Sequence, residues 1–324
     1  RRREAGLSVR FNHDVSVWVG MSTHGLVFDQ IITGLSIGSR LFLIAVGLSL
    51  IFGVLDVLNF THGVLYMLGA YVGLWAVGSV SVPIPFVGDV ALSLGFWPGV
   101  VLAVVLVGLI GAVIEAGFIR RVYDREPLDQ LLLTFAFVLI LTDGVRFVFG
   151  SGSNVTNPPT SLQFDIVLTE SLSLPSYRAF VIVMSVVVLA AIFVVLKTTN
   201  VGRLVRATSS DRDMAALLGV DVPRLYTLVF FVGAALAGLG GVLAAPLQSV
   251  APSLGNQVII NAFVIAVIGG LGSFTGAFVG AYLVGISIAV GSIVVAGAGQ
   301  LVPFVAMILV LLLKPEGLFG GADA

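Results

Sequence analysis

Residues 56–71 read DVLNFTHGVLYMLGAY and bring Asp56, Asn59, Thr61 and His62 within seven positions. A carboxylate, an amide, a hydroxyl and an imidazole this close together offer three chemistries. They could ligate a metal, act in acid–base or nucleophilic catalysis, or satisfy backbone groups at a helix break. His62 is the only histidine after residue 24, and no second ligand lies at a suitable spacing. That argues against a metal site and against an intramembrane protease or lipid transferase, which need paired Asp, Ser/His or metal-ligand clusters. The structural answer comes first: Asp56 or Asn59 caps a broken helix.

Composition sets the elements that must hold these groups. Of 324 residues, 58% are hydrophobic and 10% charged, and the mean hydropathy is +1.12. A soluble domain carries about 25% charged residues. Apolar runs long enough to cross the ~30 Å hydrocarbon core recur along nearly the whole chain. The expected fold is all-α, a polytopic helical membrane protein with about eight to nine transmembrane helices. Spans are expected at 27–54, 63–80, 97–119, 129–149, 178–197, 225–246, a short 257–268, 277–296 and 300–314. A net charge of −1 speaks against nucleic acid as a partner, and the absence of cysteine excludes disulfide and thiolate chemistry.

Short loops rich in Lys and Arg stay on the cytoplasmic side. Arg120, Arg121 and Arg125 place the 120–127 loop there, and Lys197, Arg203, Arg206, Arg212 and Arg224 do the same for 197–224. Residues 79–96 and 150–176 contain neither Lys nor Arg and are expected outside. Lys314 then falls inside if the short seventh segment crosses, and the N-terminus falls outside, against the charge of Arg1, Arg2 and Arg3. Residues 1–25 are therefore set apart as an extension with Met21 as the expected start, followed by one membrane domain over 26–320 and a 321–324 tail. Asn154-Val155-Thr156 fits a glycosylation acceptor in an external loop, a pattern common by chance.

Ionisable groups inside membrane spans ask for a role, because each costs roughly 2.5–3.5 kcal/mol at mid-bilayer on insertion scales. Asp143 and Arg146 are expected to pair, three residues apart, near the outer end of a span. Glu115, five residues before Arg120, is expected to reach the inner interface and is assigned no role. Arg40 has no acidic residue one turn away, so it either snorkels outward or meets a solute carboxylate. Thr134 bonds the preceding turn or lines a pathway, and Asn261 bonds another helix or lines a cavity. Gly69 with Gly73, Gly233 with Ala237 and Gly241, and Gly276 with Gly280 form small faces suited to close helix packing. A faint echo links Phe60-Thr61 and Gly69-Ala70-Tyr71 to Phe274-Thr275 and Gly280-Ala281-Tyr282, as a parallel repeat would.

The 197–224 loop reads KTTNVGRLVRATSSDRDMAALLGVDVPR. Ser210 followed by Asp213 forms a variant capping box, Met214, Ala215, Leu217 and Leu218 share a face, and Gly219 suits the C-cap. The result is a short amphipathic helix, either a solvated connector or one that docks into a partner's groove.

Gly202, Arg206-Ala207, Asp211, Met214-Ala215-Ala216, Leu218-Gly219 and Arg224 resemble the cytoplasmic loop of the branched-chain amino acid type permeases of ABC transporters. So do GLSIGS at 34–39, LNFTHGVLYMLGAY at 58–71, GAALAGLGGVLAAP at 233–246, VIGGLGSFTGAFVGA at 267–281 and KPEGLFG at 314–320. The resemblance implies a multi-pass permease subunit of an ATP-driven importer in the cytoplasmic membrane of a prokaryote, carrying branched-chain or other hydrophobic amino acids.

It also implies partners: two ATP-binding subunits, a second homologous permease subunit and an external solute-binding protein. The ATPases would dock on Gly202, Arg203, Arg206, Ala207, Asp211, Met214, Ala215, Ala216, Leu218 and Gly219. ATP and magnesium would sit on those subunits, with no cofactor on this chain, and Lys197 and Lys314 lack a P-loop context. The family's small polar position matches Thr134, its residue at Arg40 is uncharged, and LNFTHG is its signature, bordering the solute route. Candidate pathway residues are Asn59, His62, Thr134, Asn261 and Arg40. The other readings are an ion-coupled secondary carrier, or the same architecture with urea or amides as solute.

Overall fold

The computed structural model describes residues 23–84, 88–90, 92–169, 172–294, 299 and 301–320. The expected start at Met21 and the 321–324 tail lie outside them. Among the described residues nine apolar helices form the body: α1 (Thr23–Leu55), α2 (Thr61–Ala76), α3 (Phe96–Gly117), α4 (Pro127–Phe149), α5 (Ser176–Thr198), α8 (Val222–Ala244), α9 (Leu254–Gly269), α10 (Phe274–Val294) and α11 (Val302–Leu313). Two short helices, α6 (Asn200–Ser210) and α7 (Arg212–Leu217), lie in the basic loop between α5 and α8.

Six of the nine, α1, α3, α4, α5, α8 and α10, are long and apolar enough to cross a membrane. The short α9 spans about 24 Å at 1.5 Å per residue. Contacts between loops show that the nine helices alternate in direction. At one end Arg212 of α7 meets Asp124, Ser209 of α6 bonds the Gly53 carbonyl of α1, and Leu318 N–H bonds the Ile268 carbonyl at 2.8 Å. At the other end Ser79 bonds Thr156, and Asn154 pairs with Val250. The short seventh segment thus runs from one end of the bundle to the other. Both basic loops share the first end, called the basic end below.

α1, α2 and α8 form the centre, with α10 against α1 and α3 against α8. Their packing uses bare backbone. A Cβ at Gly69 would stand 2.6 Å from Gly238 Cα, and one at Gly241 would stand 2.8 Å from Ala70 N, so α2 and α8 touch without side chains between them. Gly73 meets Val242, Gly233 meets Ile51 and Gly47 of α1, and Ala237 is fully buried. Gly276 and Gly280 seat α10 on Gly269 and Ile265 of α9. Both members of the sequence echo, Thr61 and Phe274, begin a helix that starts at the basic end.

The all-α expectation omits two small antiparallel hairpins at the opposite end, Val82–Ile84 with Gly88–Val90 and Asp165–Thr169 with Leu172–Pro175. Both lie in connections whose β-branched residues and turn formers favour pairing once the helices hold their ends close.

Candidate coupling face and solute cavity

The DVLNFTHG stretch joins α1 to α2 at the basic end. Asp56 stops α1 in the left-handed region, φ 53°, which Asp tolerates better than most residues, and its amide closes on the Phe52 carbonyl at 2.9 Å. Asn59 Oδ1 accepts the Thr61 amide at 3.1 Å and so opens α2. Phe60 is the N-cap residue of α2 and has no capping side chain, so Asn59 braces the turn just before it, while Asp56 terminates α1.

His62 is fully buried, with Nε2 3.1 Å from the Ile44 carbonyl of α1. Thr61 Oγ1 donates to the Thr134 carbonyl of α4 at 2.9 Å, and Thr134 Oγ1 donates to Leu131 O one turn back at 3.1 Å. His62 and the Thr134 carbonyl therefore join helices and Asn59 braces the α1–α2 turn, and none of the three lines the cavity described below.

In the basic loop Thr199 accepts the Gly202 amide at 3.1 Å and caps α6. A side chain at Gly202 would stand 2.5 Å from Leu196 Cα, so the sharp α5–α6 turn requires glycine. The expected Ser210 capping box is not formed. Ser210 belongs to α6, and its hydroxyl bonds the Arg206 carbonyl at 3.0 Å. Asp211 caps α7 instead, accepting the Met214 amide at 2.9 Å, because its carboxylate is the stronger acceptor and sits at the extended residue between the two helices.

α7 ends in a Schellman turn. Val220 N–H bonds Ala215 O at 3.1 Å, Gly219 N–H bonds Ala216 O at 3.0 Å, and Gly219 has φ 88°. The expected apolar face divides, with Ala215 facing the protein while Met214, Leu217 and Leu218 stand 52%, 81% and 78% exposed. Arg203, Arg206 and Ala207 are also exposed, with Arg203 on Asn200 and Arg206 on the Leu196 carbonyl.

Glu115 does not reach the interface: it is fully buried. Arg120 grips both its oxygens, Tyr123 donates to Oε1 at 2.9 Å, and Thr227 donates to Oε2 at 2.6 Å. Arg120 also bonds the Pro223 carbonyl at 3.0 Å in the first turn of α8. Burial, and then the Glu115 charge, push the Tyr123 phenol well above its usual range, so it stays protonated as a donor. Next to it Tyr226 stacks edge-on with Tyr123, and Arg212 of α7 lies over the Tyr226 ring while pairing with Asp124 at 3.6 Å. A continuous chain of contacts therefore leads from α7 to the α3–α8 seam. The spacing of Glu115 and Arg120 signalled their pairing, but only tertiary packing supplies Thr227.

Nearer the opposite end, a cavity of about 340 Å³ opens between α1, α2, α9, α10 and α11. Its polar lining is Arg40, Tyr66, Gln248, Gln257 and Asn261; Ile37, Leu41, Ile288 and Phe304 contribute to its apolar wall. Arg40 does not snorkel away. Its Nη1 donates to Gln248 Oε1 at 3.0 Å and its Nε to the Ser36 carbonyl at 3.4 Å. Asp143 and Arg146 pair at 2.8 Å on an exposed face, as expected.

Comparison with known proteins places this geometry. The family described as branched-chain amino acid transport system / permease component matches residues 30–311. The high-affinity branched-chain amino acid transport system permease protein LivH of Escherichia coli is 30% identical over 305 residues, covering 93% of this chain and 98% of that protein. The corresponding protein BraD of Pseudomonas aeruginosa is 30% identical over 304 residues, covering 90% and 95%. A ribose import permease protein, RbsC of Haemophilus influenzae, is 25% identical over 250 residues, covering 75% and 71%. No solved structure matches. The chain belongs to the branched-chain amino acid transport system permease family.

Proposed function

We propose that this chain is one membrane subunit of an ATP-driven importer for branched-chain amino acids in the cytoplasmic membrane of a prokaryote. The observation that carries the reading is α7, an amphipathic helix at the basic end whose Met214, Leu217 and Leu218 stand exposed while its base is tied into the bundle. Exposed apolar residues on a capped, anchored helix suit the groove of a partner. With the basic end in the cytoplasm, that partner is an ATP-binding subunit, and a second one docks on a second, homologous permease subunit. ATP and magnesium belong to those subunits, and this chain itself is a conduit without catalytic chemistry. An external solute-binding protein delivers solute to the end that carries the two hairpins.

Movement of α7 would pass through Arg212 and Tyr226 to the Glu115 centre and so to the packing of α8 against α3. The test is reconstitution in proteoliposomes with both ATPases, the second permease and the binding protein, following labelled L-leucine. ATP-dependent uptake supports the reading. Uptake by this chain alone under an ion gradient would make it a secondary carrier, and uptake of urea or amides in place of leucine would reassign the solute.

A further inference from the structure

The cavity between α1, α2, α9, α10 and α11 holds a charge with donors to spare. Arg40 carries five N–H donors, of which two are engaged, one by Gln248 and one by Ser36. No salt bridge reaches Arg40 among the described residues. The side-chain nitrogen of Gln248 is buried and has no partner, although Gln248 lines the same space. A membrane-embedded guanidinium with three unengaged donors thus stands beside an unpaired amide donor, an arrangement suited to an anion.

We propose that this cavity is a station for the carboxylate of a small apolar solute. Paired N–H groups of a guanidinium match the two oxygens of a carboxylate. Ile37, Leu41, Ile288 and Phe304 supply an apolar wall for a side chain, and the volume of about 340 Å³ suits a molecule of amino-acid size. Among the described residues no carboxylate lines the cavity, so an ammonium group would meet there the neutral acceptors of Gln257, Asn261 and Tyr66. Recognition therefore rests on the carboxylate, and urea or a neutral amide gains nothing from Arg40. This assignment rests on the importer reading for its solute class. The same chemistry would also hold the phosphate of an anionic lipid, which the test must separate.

The test is equilibrium binding of labelled L-leucine to the complete purified transporter, without binding protein, in phosphatidylcholine nanodiscs. 4-Methylvalerate keeps the carboxylate and should compete; L-leucinamide lacks it and should not. Arg40→Gln should weaken leucine binding roughly tenfold or more, as expected for loss of a charged hydrogen-bond partner, with unchanged melting temperature. Arg40→Lys should recover part of the affinity. Undiminished binding in Arg40→Gln, equal competition by leucinamide, absence of binding to the wild type, or displacement of leucine by added phosphatidylglycerol would each overturn the proposal. ATP-driven uptake without this binding would sink the station and spare the importer. Binding without uptake would do the reverse.

Discussion

Arg120 and Glu115 meet through two hydrogen bonds, Nε to Oε1 at 3.2 Å and Nη2 to Oε2 at 3.0 Å, where α3 ends and α8 begins. The carboxylate is fully buried and the guanidinium 35% exposed. The pair is therefore anchored on one side and wet on the other. Removing Glu115 leaves Arg120 able to turn to water, whereas removing Arg120 strands a buried charge. Arg120→Ala should therefore destabilise more than Glu115→Ala, by about 3 kcal/mol against about 1–2. Thermal unfolding of the purified chain in detergent would check the order; equal or reversed losses would contradict it.

Leu217 at the end of α7 and Leu218 at its C-cap are exposed, while Ala215 before them is buried. Leu217→Asp and Leu218→Asp should leave insertion and melting temperature intact, and each should weaken ATPase-subunit binding by about 2 kcal/mol, roughly thirtyfold. Ala215→Asp should instead lower the melting temperature. Binding titrations alongside unfolding separate the two effects. Full-strength binding by both Leu variants would remove α7 as the docking element.

The close α2–α8 packing makes a sharper prediction. Gly69→Ala would push a methyl to within 2.6 Å of Gly238 Cα, where only backbone can yield, whereas Gly144 on α4 has nothing within 4 Å. Gly69→Ala should reduce the yield of folded protein severely. Gly144→Ala should be neutral or stabilise by up to about 1 kcal/mol through helix propensity. Fluorescence-detected size exclusion of both variants is a sufficient readout.

The helices and their order were legible because each apolar run was long and each break carried Gly, Pro or clustered polar residues. The α7 turn at Gly219 was legible for the same local reason. The setting of Glu115 and the protein partner of Arg40 were not. Glu115 looked interfacial from its distance to Arg120, but Tyr123 and Thr227 converge on it only once α8 packs on α3. Arg40 finds Gln248 208 positions away, and a single sequence gives no clue to that meeting. The setting of His62 was likewise legible only in part. Its chemistry suggested a pathway, yet its imidazole serves the α1 backbone at Ile44.

His62 accordingly yields a prediction about stability rather than transport. His62→Ala should lower the melting temperature by opening a void beside Gly47 and freeing the Ile44 carbonyl, a loss of about 2 kcal/mol or more. Uptake per folded transporter should stay within about twofold of wild type, a difference worth under 1 kcal/mol. A large loss of specific uptake with unchanged stability would return His62 to the solute route.

Asn154 and Val250 exchange two backbone hydrogen bonds, 2.9 and 2.8 Å, and so fasten the loop after α4 to the segment that carries Gln248. The link runs through main-chain atoms, so the asparagine side chain is dispensable to it. Asn154→Ala should leave uptake unchanged, while Asn154→Pro, which deletes the donor to the Val250 carbonyl, should reduce it. If the bridge holds Gln248 in place beside Arg40, the proline variant should also lose leucine affinity severalfold while its ATPase-subunit binding at the far end of the bundle stays intact. Loss of uptake in Asn154→Ala to the same extent would assign the effect to the side chain and refute the bridge as the link between the loop after α4 and the cavity.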